Sequence, residues 1–190
     1  MARVLVPLAP GCEELEAVSI IDLLRRADIE VVTAGLSDGE VTCSRGVVII
    51  PDASLDEVLG DDFDMIVLPG GLPGADHLNE DGRIRELLKH MAEQGKYMAA
   101  ICAAPKVLAS AGLLQGKQAT SYPGVIDSMS LPSTCYLDQA VVVDGKVITS
   151  RGPGTAMDFA LELIEKLVGQ ERRQAVEAAL VRPKYERSPL

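Results

Sequence analysis

The 190-residue chain is 47% hydrophobic and 24% charged, which excludes global disorder, and it is long enough to bury a core without metal or disulfide staples. Its 28 acidic against 18 basic residues leave a net charge of −10, which repels phosphate backbones and argues against nucleic acid as a partner. No apolar run reaches the roughly 20 residues that cross a bilayer, and the start from Met1 to Val6 carries no signal-peptide pattern, so the expectation is a cytoplasmic protein with no membrane segment.

In chain order, Arg3 to Leu8 reads as a buried parallel strand. Pro10-Gly11 then turns the chain into a helix. Its first turn holds Glu13, Glu14 and Glu16, where acids are favoured by the helix dipole, and Ala17, Ile20, Ile21 and Leu24 recur at helical spacing. Ile29 to Ala34 is the next strand. A hairpin follows from Glu40–Cys43 to Val47–Ile50, turning near Arg45-Gly46, and then a short acidic helix at Leu55–Leu59. Asp64 to Leu68 is an apolar strand that runs into the glycine-rich segment Pro69–Gly74. Helical spacing returns at Ile84, Leu87, Leu88 and Met91. Tyr97 to Ile101 is a short buried strand, and Pro105 opens the helix after it. Thr120 to Pro123 reads as a strand end, and Cys135 as a loop residue. Asp144-Gly145 turns a hairpin between Ala140–Val143 and Val147–Thr149. Gly152–Thr155 leads into a helix with Met157, Ala160, Ile164 and Leu167 on one face, and a last helix spans Glu171 to Leu180. Residues 1–181 are expected to form one domain, with a loose tail over 182–190.

Strands alternating with helices imply an α/β fold: an open parallel sheet with helices on both faces, plus a β-hairpin. Such sheets bind ligands at the carboxyl edge of their strands, where three loops converge: 10–16, 69–74 and 101–105. There Cys102 sits between a strand end and a helix start, among the small residues Ala100, Ala103 and Ala104 that a sharp turn requires. The positive end of the helix is expected to favour the thiolate and lower the thiol pKa. The alternative is a small buried residue at the end of a core strand. Gly70 and Gly71 allow backbone N–H groups to approach a bound anion, or simply make a tight turn; they match neither dinucleotide nor P-loop spacing. An acid of the first helix either is solvated or points at the thiol, where its proton would support a thiolate. His77 acts on Cys102 only if the glycine loop folds over it, and His90 reads as a surface residue. Cys12 lies near the same pocket, and Cys43 reads as a structural or interface thiol. No close cysteine or histidine cluster suggests a metal.

Five segments in order then resemble the ThiJ/PfpI superfamily, in particular its parkinsonism-associated deglycase branch: 8–16 (LAPGCEELE), 43–46 (CSRG), 67–71 (VLPGG), 99–105 (AAICAAP) and 149–155 (TSRGPGT). The resemblance implies a flavodoxin-like α/β/α sandwich, a homodimer and no cofactor. It implies that Cys102 is the oxidation-prone nucleophile, Glu16 the carboxyl beside it, and Gly71 and Ala103, with Gly70, the anion pocket. Arg45 matches an arginine that approaches the partner subunit's pocket, and Arg25 and Arg151 fall on matching segments. Two departures stand out: Tyr122 occupies a position where relatives carry a pocket histidine, and Ala103 follows Cys102 where protease-like members have histidine. The implied activity is glyoxalase- or deglycase-like, acting on methylglyoxal, glyoxal or early glycation adducts. The alternative is a redox sensor or stress chaperone in which Cys102 becomes a sulfinate. An amidase or peptidase is disfavoured by the missing histidine.

Overall fold

A computed structural model describes residues 1–182 of the chain. Its strands and helices follow in the order β1 (Arg3–Leu8), α1 (Glu14–Arg26), β2 (Glu30–Gly35), β3 (Val41–Thr42), β4 (Val48–Ile49), β5 (Ala53–Ser54), α2 (Leu55–Val58), β6 (Met65–Leu68), α3 (Gly74–Glu80), α4 (Gly82–Glu93), β7 (Tyr97–Ile101), α5 (Pro105–Ser110), β8 (Gln118–Ala119), β9 (Cys135–Tyr136), β10 (Val141–Asp144), β11 (Val147–Ser150), α6 (Ala156–Val168) and α7 (Gln170–Ala179). Seven strands form one sheet in the order β10-β11-β7-β6-β1-β2-β5. All its pairings are parallel except that of β10 with β11. This is the α/β flavodoxin-like architecture expected, with the β3–β4 hairpin outside the main sheet.

Alternation along the strands divides the core in two. Val4, Val6 and Leu8 of β1 and Val67 of β6 pack with Ile20 and Leu24 of α1 and Phe159 and Leu163 of α6. Leu5, Ile66 and Leu68 turn the other way, toward Leu78 of α3, Leu88 of α4 and Leu108 of α5. Helix α1 carries its buried stripe at Ala17, Ile20, Leu23 and Leu24 and places Glu14 and Glu16 in its first turn and Arg25 and Arg26 in its last, in accord with its dipole.

Chain direction reverses between β1 and β6: from β1 the chain moves outward to β2, whereas from β6 it moves the opposite way to β7. The loops after β1 and β6 therefore part at this point and leave a crevice at the carboxyl edge. The loop after β7 opens beside it.

Several local expectations are corrected. The segment after Pro73 is helical (α3), so His77 lies on a helix. Strand β8 stops at Ala119, before Thr120–Pro123, because the Thr120 N–H turns away to donate to the Thr149 hydroxyl at 2.9 Å. Cys135 is on β9, paired in parallel with β8. The turn of the last hairpin is Gly145-Lys146, with Asp144 paired to Val147 in the ladder. Of the face expected on α6, Ala160 and Ile164 are buried and Leu167 packs against the core, but Met157 is 46% exposed; Ala156, Phe159, Leu161 and Leu163 complete the buried side. The expected tail over 182–190 lies outside the described residues apart from Arg182, which pairs with Asp158 at 2.8 Å.

Candidate active site

Residue 102 sits where a strand must turn sharply into a helix. Cys102 adopts φ 62°, in the left-handed region that L residues rarely enter. The turn is held on both sides: the Cys102 N–H donates to the Ser150 carbonyl of β11 at 3.0 Å, and its own carbonyl accepts the Tyr122 N–H at 2.8 Å. The side chain is left at the crevice, with the residue 8% exposed.

The backbone N–H groups of Gly71 and Ala103 lie near the Cys102 sulfur and favour its charged form. Gly71 reaches this position in a left-handed conformation (φ 86°), and a Cβ there would lie 2.4 Å from the Glu13 nitrogen. Gly70 is equally confined: a Cβ would lie 2.6 Å from Cys102 Cβ and 2.8 Å from Glu16 Oε2. The glycines after β6 thus allow the loop, the thiol and the carboxyl to meet.

Glu16, fully buried in the first turn of α1, accepts the Gly70 N–H at 2.8 Å through Oε2. Its carboxyl and the Cys102 side chain crowd the same point at Gly70, and Oε1 has no hydrogen-bond partner among the described residues. Burial pushes the carboxyl up to about 7, against the opposing pull of the Gly70 N–H and the thiol. Burial likewise pushes the thiol up to about 12, with the negative charge of Glu16 adding to it, and the Gly71 and Ala103 N–H groups only partly offset this. The expectation of a lowered thiol pKa is therefore corrected. Helix α5 has only six residues and starts with Pro105, which has no N–H, so it supplies little positive potential. A dry pocket disfavours two negative charges at once, so ionisation of either group opposes ionisation of the other.

The other expected residues are spread more widely. Arg45 is exposed at the hairpin tip, and its N–H donates to Glu14. Arg25 is two and a half turns beyond Glu16, about 14 Å along the helix, and binds Asp52 at 2.8 Å and the Val31 carbonyl. Tyr122 is 51% exposed, its ring edge over Gly152, and Arg151 pairs with Asp138. The His77 ring meets the Pro10 carbonyl through Nδ1 at 2.9 Å, and His90 lies against Gln94. Cys43 is buried against Cys12, their sulfurs 3.5 Å apart.

Glu14 has a role that first-turn composition did not single out. It is 9% exposed and gathers the hairpin turn, accepting the Arg45 N–H at 2.9 Å, the Val47 N–H at 3.3 Å and the Ser44 hydroxyl at 3.0 Å. Burial pushes this carboxyl up, but the backbone donors at its own residue, Arg45 and Val47 outweigh burial and hold it below its ordinary range. Glu14 and Glu16 therefore start from one helical turn and end with opposite titration.

The fold and site define a class: a flavodoxin-like sheet carrying a cysteine on a sharp strand–helix turn, with a buried carboxyl and two backbone donors beside it. Residues 2–166 match the model of the DJ-1/PfpI family, and the chain belongs to that family. Among its relatives, protein dj-1beta of Drosophila melanogaster is 49% identical over 178 residues, covering 93% of this chain and 95% of the relative. The crystal structure of that relative has a TM-score of 0.91, covering 96% of this chain and 98% of its own. A glutathione-independent glyoxalase of Caenorhabditis elegans, DJR-1.2, is 40% identical over 92% of both chains. Toxoplasma gondii DJ-1, solved in an oxidized form, is 42% identical with a TM-score of 0.91, covering 95% of this chain and 98% of its own.

The raised Glu16 carboxyl has a signed consequence for stability. The unfolded chain releases this proton near the ordinary value of 4.5, the folded chain at about 7. The contribution is fully present below pH 4.5 and is lost as pH rises through 7. Glu16→Gln lacks this loss, so from pH 4.5 to 8 the variant should gain about 3 kcal/mol relative to the parent. Urea unfolding of both proteins across that range checks it; parallel pH profiles would contradict the buried, proton-holding Glu16.

Proposed function

We propose that the protein is a cofactor-independent, cysteine-based enzyme of carbonyl stress that converts 2-oxoaldehydes such as methylglyoxal and glyoxal to hydroxy acids. The observation that carries this reading is the fully buried Glu16 carboxyl packed with the Cys102 side chain around Gly70, with the Gly71 and Ala103 N–H groups near the sulfur. The glyoxalase named among its relatives supports it. A carboxyl near pKa 7 is well matched to take and return protons at neutral pH.

Glu16 carboxylate takes the Cys102 S–H proton as sulfur attacks the aldehyde carbon, so the thiolate forms only as it is used. The Gly71 and Ala103 N–H groups stabilise the oxyanion, which then accepts the proton from Glu16 and becomes a hemithioacetal. Glu16 removes the hydrogen on that carbon and delivers it to the neighbouring carbonyl carbon, while the hemithioacetal hydroxyl gives its proton to the oxygen of that carbonyl, leaving a thioester of the hydroxy acid. Water hydrolyses the thioester and restores the thiol; the sum is one methylglyoxal and one water to one lactic acid. Early glycation adducts are open to the same attack.

A second reading rests on the same donors. Peroxide oxidises the Cys102 thiolate in two steps to a sulfinate, each peroxide reduced to water, and the sulfinate oxygens meet the Gly71 and Ala103 N–H groups and a protonated Glu16.

The dimer implied by family resemblance has a candidate face. Leu15 and Val18 of α1 are 51% and 49% exposed, and Val47, Val48 and Ile50 of the neighbouring hairpin are 48%, 48% and 81% exposed. Val18, Ile21, Ile49 and Ile50 line one shallow hollow between these elements. A second copy covering this face would bury apolar surface that water otherwise contacts and would bring Arg45 to the subunit boundary.

Lactate formation from methylglyoxal by metal-free protein tests the main reading. Cys102→Ser should abolish it and Glu16→Gln should slow it about 100-fold or more; turnover that survives Cys102→Ser rules the mechanism out. Mild peroxide followed by peptide mass mapping should add two oxygens at Cys102 before any other thiol; even oxidation of all four cysteines contradicts the sulfinate reading. Sedimentation equilibrium should show a dimer that Ile50→Glu converts to monomer; a dimer indifferent to Ile50→Glu places the interface elsewhere.

A further inference from the structure

A second pair of thiols lies outside the Cys102 pocket. Cys12, in the β1–α1 loop, is fully buried, and Cys43, just after β3, is 5% exposed; their sulfurs stand 3.5 Å apart across 31 positions of sequence. The backbones on either side are already joined. The Gly11 N–H donates to the Thr42 carbonyl and the Ser44 N–H to the Cys12 carbonyl, both at 2.8 Å, so Cys12 runs beside the hairpin like an added strand. A disulfide bond of about 2.05 Å requires closing the sulfur gap by about 1.5 Å, a movement within reach of side-chain rotation when the flanking backbones are held together.

We propose that Cys12 and Cys43 form a redox modification site, closed by peroxide to an intramolecular disulfide that joins the β1–α1 loop to the β3–β4 hairpin. In the first step the Cys43 thiolate, the one with solvent contact, attacks peroxide; an O–O bond breaks, Cys43 becomes a sulfenic acid, and hydroxide leaves and is protonated to water. In the second, Cys12 sulfur attacks the sulfenic sulfur; the S–S bond forms, the S–O bond breaks, and the hydroxyl departs with the Cys12 proton as water. Two thiols lose two electrons and one peroxide gains them. Burial holds both thiols up, and the Glu14 and Glu13 charges add to this at Cys43, so the pair reacts slowly and records sustained rather than brief exposure.

The place of the bond gives it consequence. The Glu13 N–H donates to the Gly70 carbonyl at 2.9 Å, and Gly71 and Gly74 are packed so closely on Cys12 that a Cβ on either would fall within 3 Å of its backbone. The loop that the disulfide would anchor is therefore the support beneath the glycines beside Cys102. The pairing itself does not depend on the chemistry proposed for Cys102.

The test treats the full chain with hydrogen peroxide, blocks free thiols with N-ethylmaleimide and digests with trypsin without reductant. Tryptic peptides 4–25 and 27–45 should appear joined, at their summed mass less about 2 Da for the two hydrogens lost, and should separate on reduction. The joined species should form equally in Cys102→Ser and be absent from Cys43→Ala, in which Cys12 stays open to the maleimide once unfolded. The proposal is overturned if Cys12 and Cys43 of the parent protein are recovered as blocked thiols or as sulfinates under peroxide that fully oxidises Cys102, or if the link joins two chains. Loss of lactate formation in Cys102→Ser alongside an intact cross-link separates the two sites.

Discussion

The hydrogen bond from the Gly70 N–H to the Glu16 carboxyl ties together residues 54 positions apart and is fully buried. It joins the two sides of the crevice, the first turn of α1 on one and the loop leaving β6 on the other. A carboxyl in so dry a position cannot keep its charge cheaply, and its one backbone donor does not compensate for lost water. The pocket sets the Cys102 thiol beside it, and ionisation of either group opposes ionisation of the other. The proposed chemistry depends on this coupling, because sulfur and carboxyl take the charge alternately.

The close approach has steric conditions. Gly70 has room for a hydrogen and nothing larger between the Cys102 side chain, the Glu16 oxygen and the Ile101 carbonyl. Gly71 meets the backbone of Gly11, Cys12 and Glu13 in the same way. Beneath them the β1–α1 loop is held in turn by the hairpin, whose turn is gathered by Glu14. Acids one position and three positions after Glu13 thus sit in opposite settings, Glu14 fixing the hairpin as a charged acceptor and Glu16 held by burial above the ordinary carboxylate range.

Much of this was legible in the sequence because it follows from local rules. The parallel strands announce themselves as apolar runs, and the sheet's carboxyl edge collects the loops whichever helices cover the faces. Cys102 was marked by its small neighbours and its place between strand and helix. Glu14 was less legible, since acids at 13, 14 and 16 share one dipole rationale, and only the hairpin, fixed by contacts distant in sequence, tells them apart. Helix α3 was hidden by Gly74 at its start and by a buried face reduced to Ala75 and Leu78. The thiol pKa was misjudged because the helix dipole is a local feature, whereas burial and the Glu16 charge come from the assembled pocket. The Cys12–Cys43 contact needed register between a loop and a hairpin, which no single-segment pattern contains.

The backbone of Cys102 carries a further consequence. A left-handed conformation costs a residue with a side chain about 1–2 kcal/mol relative to glycine. Here β11 and the segment after β8 enforce it from both sides, through the Ser150 carbonyl and the Tyr122 N–H. The most stable occupant of this turn is thus a residue with no side chain at all. The fold tolerates a sulfur there at the expense of its own stability, and a chain drifting toward greater robustness at this position would relax the turn and lose the thiol in one step.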